Sequence, residues 1–383
     1  MHTVSGDDGG TLRIEVEPEF QLLSGGLQPF LFRSTRGTLV IQAQLPYPVG
    51  YPFPPKNVFP GLPGTAVSRD GGRSWELWRP GEGQDQGPII EGGVVQLRDG
   101  TIRVFDWIAD GPSPGGDFTG TRWDTTDEWC TVQGPTPFRV HLSQAKGGFD
   151  DTGKPYSGVT FHRTVLELPG GDLLASIYCW FTADSLPSSY EARMNRFRCV
   201  LLRSRDGGAN WEFAATIADD VTVGEEGFNE PALVRLSRGP RAGRLLCLMR
   251  TGNRVSPLYQ GHSDDDGATW SRPRPLPLRG VDPDLIELAD GTLACSYGYR
   301  LLTTPAAPDH GNYVAFSTDG GETWGNATHL PIASHAGADR STGYTGLREV
   351  EPGRLLVVFD IGWWGTPIRY VGRRFVRVVR ERA

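Results

Sequence analysis

The sequence predicts an all-β fold, a six-bladed β-propeller, and three observations predict it. The chain of 383 residues holds 51 glycines and 30 prolines, too many turn formers for a helical bundle or coiled coil. Four segments share the pattern Ser-x-Asp-x-Gly-x-x-Trp, beginning at Ser68, Ser204, Ser263 and Ser317. Six further segments repeat an apolar strand, a glycine turn and a second apolar strand. A two-domain β-sandwich accounts for the strands but not for six copies of one hairpin.

Taken in order, the hairpins turn at Gly37, Gly100, Gly171, Gly243, Gly291 and Gly353. Each precedes a further strand pair, giving four-stranded blades at about 28–78, 91–148, 160–216, 228–274, 282–327 and 343–379 of a single domain spanning 1–383. In four blades the Asp motif joins the outer pair: Asp accepts from turn amides, Gly supplies the left-handed backbone, and Trp packs beneath as an apolar peg. The role expected of these Asp residues is structural, not calcium binding. Blade two lacks the full motif, and Phe138–Leu142 followed by Lys146-Gly147-Gly148 is its expected degenerate copy. The last blade is short of strands, and Leu12–Val16 (with the segment through 23) is expected to pair with it and close the ring.

Composition narrows the function. A net charge of −7 lacks the basic face that phosphates demand, so nucleic acid is not an expected partner. Met1–Gly10 is polar and acidic where a secretion signal is basic and then apolar, and no apolar run approaches the roughly 18 residues of a membrane span. A cytoplasmic protein with no membrane partner is expected. The five cysteines are far apart and read as buried free thiols. Scattered Asp and His lack ligand spacing and no phosphate-cradling Gly loop is present, so neither a metal nor an organic cofactor is expected. Oligomeric state is not legible.

In a propeller the innermost strands begin at one face, so their first side chains converge. Counting nine residues back from each turn glycine, and aligning blade four by its proline, gives Gln28, Glu91, His162, Glu230, Asp282 and Tyr344. All six are polar where strand interiors are apolar. The returning strands end at Gln44, Asp106, Trp180, Arg250, Arg300 and Asp360. Carboxylates, arginines and aromatic faces at one mouth suit a polar ligand such as a sugar.

These motifs resemble the sialidase (neuraminidase) superfamily, whose members are six-bladed propellers carrying the same Asp boxes. Phe228-Asn229-Glu230-Pro231 with Leu246–Arg250 resembles the blade bearing a catalytic Glu and one arginine of the carboxylate-binding triad. Gly343-Tyr344-Thr345-Gly346-Leu347 resembles the segment of the tyrosine nucleophile. The resemblance implies Tyr344 as nucleophile, Glu230 as its base and Arg250 as ligand of a substrate carboxylate, with Arg300 near the family's third arginine. A phenol suits a sugar whose anomeric carbon carries a carboxylate, because a carboxylate nucleophile would be repelled.

Two departures point away from an ordinary sialidase. Leu27-Gln28-Pro29 stands where the family has Arg-Ile-Pro, and Ile41–Val67, where its general acid lies, contains no Asp or Glu. Tyr47, Tyr51, Phe53 and Phe59 on that loop suggest an aromatic shelf or lid. Glu91, Asp106 and His162 are the positional candidates for another acid. The expected function is an exo-acting glycoside hydrolase on an acidic or unusual terminal sugar, with a glycan as partner. One alternative is a uronate-type lyase using His162 or Tyr344 as base, with Arg163, Arg250 or Arg300 neutralising the carboxylate. The other is a non-catalytic propeller that binds glycan or protein. The segment Phe181–Arg198, with Tyr190, Arg193 and Arg196, reads as an insertion serving as lid or oligomer contact.

Overall fold

The computed structural model describes residues 2–5, 11–45, 62–79, 87–112, 116–220, 222–253, 256–300, 310–324, 330–336, 341–363, 366 and 368–381. The loop aromatics Tyr47, Tyr51, Phe53 and Phe59 lie outside them. The described residues are nearly all β, with two single-turn 3-10 segments, Ile90–Gly92 and Gly239–Arg241. The chain divides into two compact units, Met1–Arg79 with Gly280–Ala383, and Pro80–Arg279.

The first unit contains three antiparallel sheets. Leu27–Arg33, Leu39–Leu45, Leu62–Ser68 and Glu76–Trp78 form one, and Val281–Glu287, Leu293–Tyr299, Gly311–Ser317 and Leu330–Ser334 another. In the third, Thr345–Glu351, Arg354–Ile361 and Tyr370–Glu381 are extended by Thr11–Val16, with Leu12 opposite Arg380 and Val16 opposite Val376. The N-terminal strand therefore supplies the missing outer strand of the last sheet. Strands inside each sheet are buried on both faces and read as continuous apolar runs, whereas Thr11–Val16 alternates and turns Leu12 and Ile14 inward. Those two pack with Leu347, Phe359 and Val376 in one core cluster.

In the second unit, Asn229–Arg235, Leu245–Arg250, Pro257–Ser263 and Arg274–Arg279 form a four-stranded sheet. The strands around Val94–Gln96 and Gly158–Glu167 belong to one ten-stranded sheet, because two expected blades join along their outer strands: Arg139, Val140 and His141 pair in parallel with Asn210, Trp211 and Glu212. Trp211, fully buried, is the peg beneath this seam, edge-on to Phe105 at 5.2 Å and to Phe161 at 5.6 Å.

All six turn glycines counted from the sequence have φ between 72° and 99°. The Asp boxes close their turns as their chemistry predicts. Asp70 accepts from the amides of Arg73 and Ser74 and from the Ser74 hydroxyl, while Ser68 Oγ accepts from Gly72 N. Those bonds hold the Asp70 carboxyl down at about 2.

One expectation is corrected. The degenerate box of blade two is not at 138–148, where Gln133–His141 is an ordinary strand, but at Thr125–Val132. There Thr125 donates to Asp127, Asp127 accepts from Thr131 N and Oγ1, and Trp129 N donates to Thr125 Oγ1, the same bonds as around Asp70. Glu128 and Trp129 occupy the glycine positions with φ of 57° and 70°. Four cysteines are buried free thiols as expected, while Cys130, inside this hairpin, is exposed.

Candidate functional site

The strand starts singled out by counting are irregular backbone. In the strands opening at Leu27, Asn229 and Val281 the ladder slips just where Gln28, Glu230 and Asp282 stand, and these residues adopt φ of 52°, 42° and 52°. Side-chain residues with positive φ are strained, and such strain concentrates at functional positions. In Gly158–Glu167 the bulge is longer, between Phe161 and Val165, and the positive φ of 58° falls on Arg163, one residue past the counted His162. Glu91 lies not at a strand start but on the 3-10 turn Ile90–Gly92. That turn presses against the end of strand Ile102–Phe105 so closely that a side chain at Gly92 would collide with the Phe105 carbonyl, which is why glycine follows the acid.

In the second unit these elements bring together a charged cluster. Arg250 ends Leu245–Arg250 with its guanidinium buried, and Nη1 donates to Glu230 Oε1 at 2.6 Å. Its Nε lies 2.7 Å from Glu226 Oε1 and 2.9 Å from the Gly252 carbonyl, and Nη2 donates to Asn253 Oδ1 at 3.0 Å. Glu226 and Glu230 are themselves 1% and 4% exposed. Burial pushes the Glu226 carboxyl up, and Arg250 opposes that shift. Tyr190 donates its hydroxyl to Glu226 Oε2.

The insertion is thereby accounted for among the described residues. It clasps the chain just before Glu230: Ser189 N donates to Glu225 O, Phe197 N to Glu226 O, and Arg196 to the carbonyls of Val223 and Gly224. Glu226 and Tyr190 are functional candidates that strand counting misses, because both lie outside the repeat. The acid pair Glu225-Glu226 directly ahead of Asn229-Glu230 was the available signal.

Glu91, partly exposed, is the acid whose surroundings matter most. Desolvation raises its carboxyl to about 8; the charge of Arg163 pulls against the shift and that of Glu230 adds to it. Asp106 is raised by burial to about 6, and it accepts from Ile89 N at 3.2 Å and from the Thr121 hydroxyl. His162 is buried, its Nδ1 3.3 Å from the Pro231 carbonyl and its ring edge-on to Tyr178. Trp180 does not face a ligand. It is fully buried, donates Nε1 to Asn195 O at 2.7 Å and stacks on Phe197 at 4.5 Å.

In the first unit, Asp360 is fully buried and accepts from Gln28 N, Ser341 Oγ, Gly343 N and the Thr342 hydroxyl. Burial raises its carboxyl, which is bonded into the fold as a clasp on the 341–343 turn. Asp282, equally buried, accepts from Thr345 N at 2.8 Å. Gln28 Oε1 accepts from Gln44 Nε2 at 2.6 Å. Arg300 donates to the Thr342 carbonyl and lies over the Trp363 ring at 5.9 Å. Tyr344, half-buried, stands immediately before Thr345–Glu351 with its ring edge-on to Phe30 at 6.2 Å. Among the described residues no group of three or more His, Cys, Asp or Glu is arranged to hold a metal, and no helix is long and apolar enough to cross a membrane.

Comparison with known proteins adds the family context. A family model described as a BNR repeat-like domain matches residues 180–330. A sialidase of Micromonospora viridifaciens is 30% identical over 155 residues, which are 38% of this chain and 22% of that protein, so the chain spans about a fifth of this curated relative. Among solved structures, a Hadza microbial sialidase superposes with a TM-score of 0.60 at 16% identity, over 92% of this chain and 66% of the other. An alpha-L-arabinanase of Penicillium chrysogenum, complexed with arabinobiose, superposes with a TM-score of 0.58 at 14% identity, over 95% and 98%. At such identities the structural likeness carries the fold, an all-β scaffold of propeller type, and no substrate.

Proposed function

We propose that this chain, whose fold and repeats are sialidase-like, is a glycoside hydrolase acting at the end of a glycan, with Tyr344 as nucleophile, Glu230 as its base and Glu91 as the general acid. The observation that carries the reading is the separation of two carboxyl groups in one cluster. Glu91 is protonated at neutral pH, whereas Glu230 is ion-paired with Arg250. A protonated carboxyl and an ion-paired carboxylate can divide the acid and base tasks of glycoside hydrolysis between them. Glu91 thus stands in for the acid that Ile41–Val67 lacks.

The bond changes are these. Glu230 takes the phenolic proton of Tyr344, the phenolate oxygen bonds to the anomeric carbon, and the glycosidic C–O bond breaks as Glu91 gives its proton to the leaving oxygen. Water then adds to the anomeric carbon, its proton returning to Glu91, and the tyrosyl bond breaks with reprotonation of Tyr344.

A panel of aryl glycosides, with products followed by NMR, tests the reading. Wild type is expected to release a reducing sugar, and Tyr344→Phe to lose about 10³-fold or more in turnover while keeping ligand affinity. Tyr344→Phe turning over as fast as wild type would remove the tyrosine assignment. An unsaturated, ultraviolet-absorbing product would point to elimination by a lyase, and binding without turnover to a non-catalytic propeller.

A further inference from the structure

Resting on the hydrolase reading above, the geometry points to a substrate whose sugar ring offers hydroxyl groups, not a carboxylate, to Arg250. An arginine reads a carboxylate by presenting two parallel N–H donors along one edge of its planar fork. Here the fork is already engaged by the protein. The Gly252 carbonyl takes Nε, Asn253 and Glu226 Oε2 take Nη2, and Glu230 takes Nη1, with Glu226 Oε1 a further 2.7 Å ion-pair contact of Nε. Tyr190 holds Glu226 in that position from the other side.

Charge leads to the same conclusion. Around Arg250 stand Glu226 and Glu230, both buried and both in ion-pair contact with its guanidinium. An incoming carboxylate would have to displace a carboxylate already paired with a buried arginine and then lie beside it, an exchange that costs affinity. Sugar hydroxyls meet no such barrier, because they donate to the carboxylate oxygens the cluster presents. A phenol nucleophile is compatible with this, since it tolerates a carboxylate on the sugar without requiring one.

The test compares neutral aryl glycosides (4-nitrophenyl α-L-arabinofuranoside, β-D-galactoside and α-L-fucoside) with carboxylated ones (4-methylumbelliferyl N-acetylneuraminide and 4-nitrophenyl β-D-glucuronide). In parallel, binding of methyl glucoside and methyl glucuronide is titrated against wild type, Glu226→Gln and Tyr190→Phe. The expected result is kcat/KM for a neutral glycoside about 100-fold or more above any carboxylated one. Glu226→Gln, which removes one negative charge beside Arg250, is expected to gain about tenfold in affinity for the glucuronide relative to the glucoside, with Tyr190→Phe shifting the same way. Equal or faster cleavage of a carboxylated glycoside would overturn the inference and leave the hydrolase reading standing. If nothing is cleaved, the hydrolase reading falls, and binding still decides: tighter wild-type binding of the glucuronide than the glucoside, or binding of neither, overturns the inference. Should Glu226→Gln not fold, an unshifted preference in Tyr190→Phe counts against it.

Discussion

Replacing Glu91 by glutamine removes an ionisable group while keeping its shape, and the consequence is calculable. The folded protein holds this carboxyl at about 8 against an ordinary 4.5. A group raised in this way favours the folded state fully below its unfolded value, and that contribution is lost as pH rises toward the folded value. Between 4.5 and pH 7 lie two and a half units; at about 1.4 kcal/mol per unit, wild type gives up roughly 3 kcal/mol that the glutamine variant keeps. Urea unfolding of both proteins at pH 5, 6, 7 and 8 measures the difference. Apart from a constant offset, the advantage of Glu91→Gln is expected to grow by about 1.4 kcal/mol per pH unit and to level off above pH 8. A difference that stays flat from pH 5 to 8 would mean that Glu91 ionises as an ordinary surface acid, and the assignment of the general acid would fail with it.

The same protonation state governs rate: kcat/KM of wild type should decline as pH rises through about 8, and Glu91→Gln should lose that limb in a pH-rate profile. Trp211→Ala empties a fully buried site between Phe105 and Phe161 and is expected to cost about 3–5 kcal/mol, read as a lower urea midpoint. Asp127→Ala should release the amides of the Thr125–Val132 hairpin, seen as faster hydrogen exchange at Thr131 with little change in the cores.

The fold was legible because its devices are local. A glycine turn between two apolar strands writes itself into a short stretch of sequence, and all six counted glycines adopt the left-handed backbone that the reading requires. The fifth Asp box was not legible for the converse reason. Its hydroxyls and Asp127 make every expected bond, but Glu128 and Trp129 stand where a pattern search demands glycine, and only the coordinates reveal that they accept positive φ. Counting landed on Gln28, Glu230 and Asp282, each a positive-φ residue followed by proline, because the distance from turn glycine to strand start repeats in the sequence. In the third hairpin it landed on His162 while the positive φ falls on Arg163, because a longer bulge moves that residue by one position, and it placed Trp180 at a mouth although the residue is packed inside. Glu226 and Tyr190 belong to connections, whose path no repeat constrains. Arg250 can be placed at the end of its strand from the sequence; that Glu226 joins Glu230 around its guanidinium is a property of a connection.

General acid catalysis by Glu91 is tested most directly by varying the leaving group. For a series of aryl and alkyl glycosides of the sugar that wild type cleaves, Glu91→Gln should slow the poorest leaving groups by about 10²–10⁴-fold, while glycosides of acidic phenols, which depart without a proton, react nearly as before. A uniform loss across the series, or no loss at the alkyl end, would contradict it.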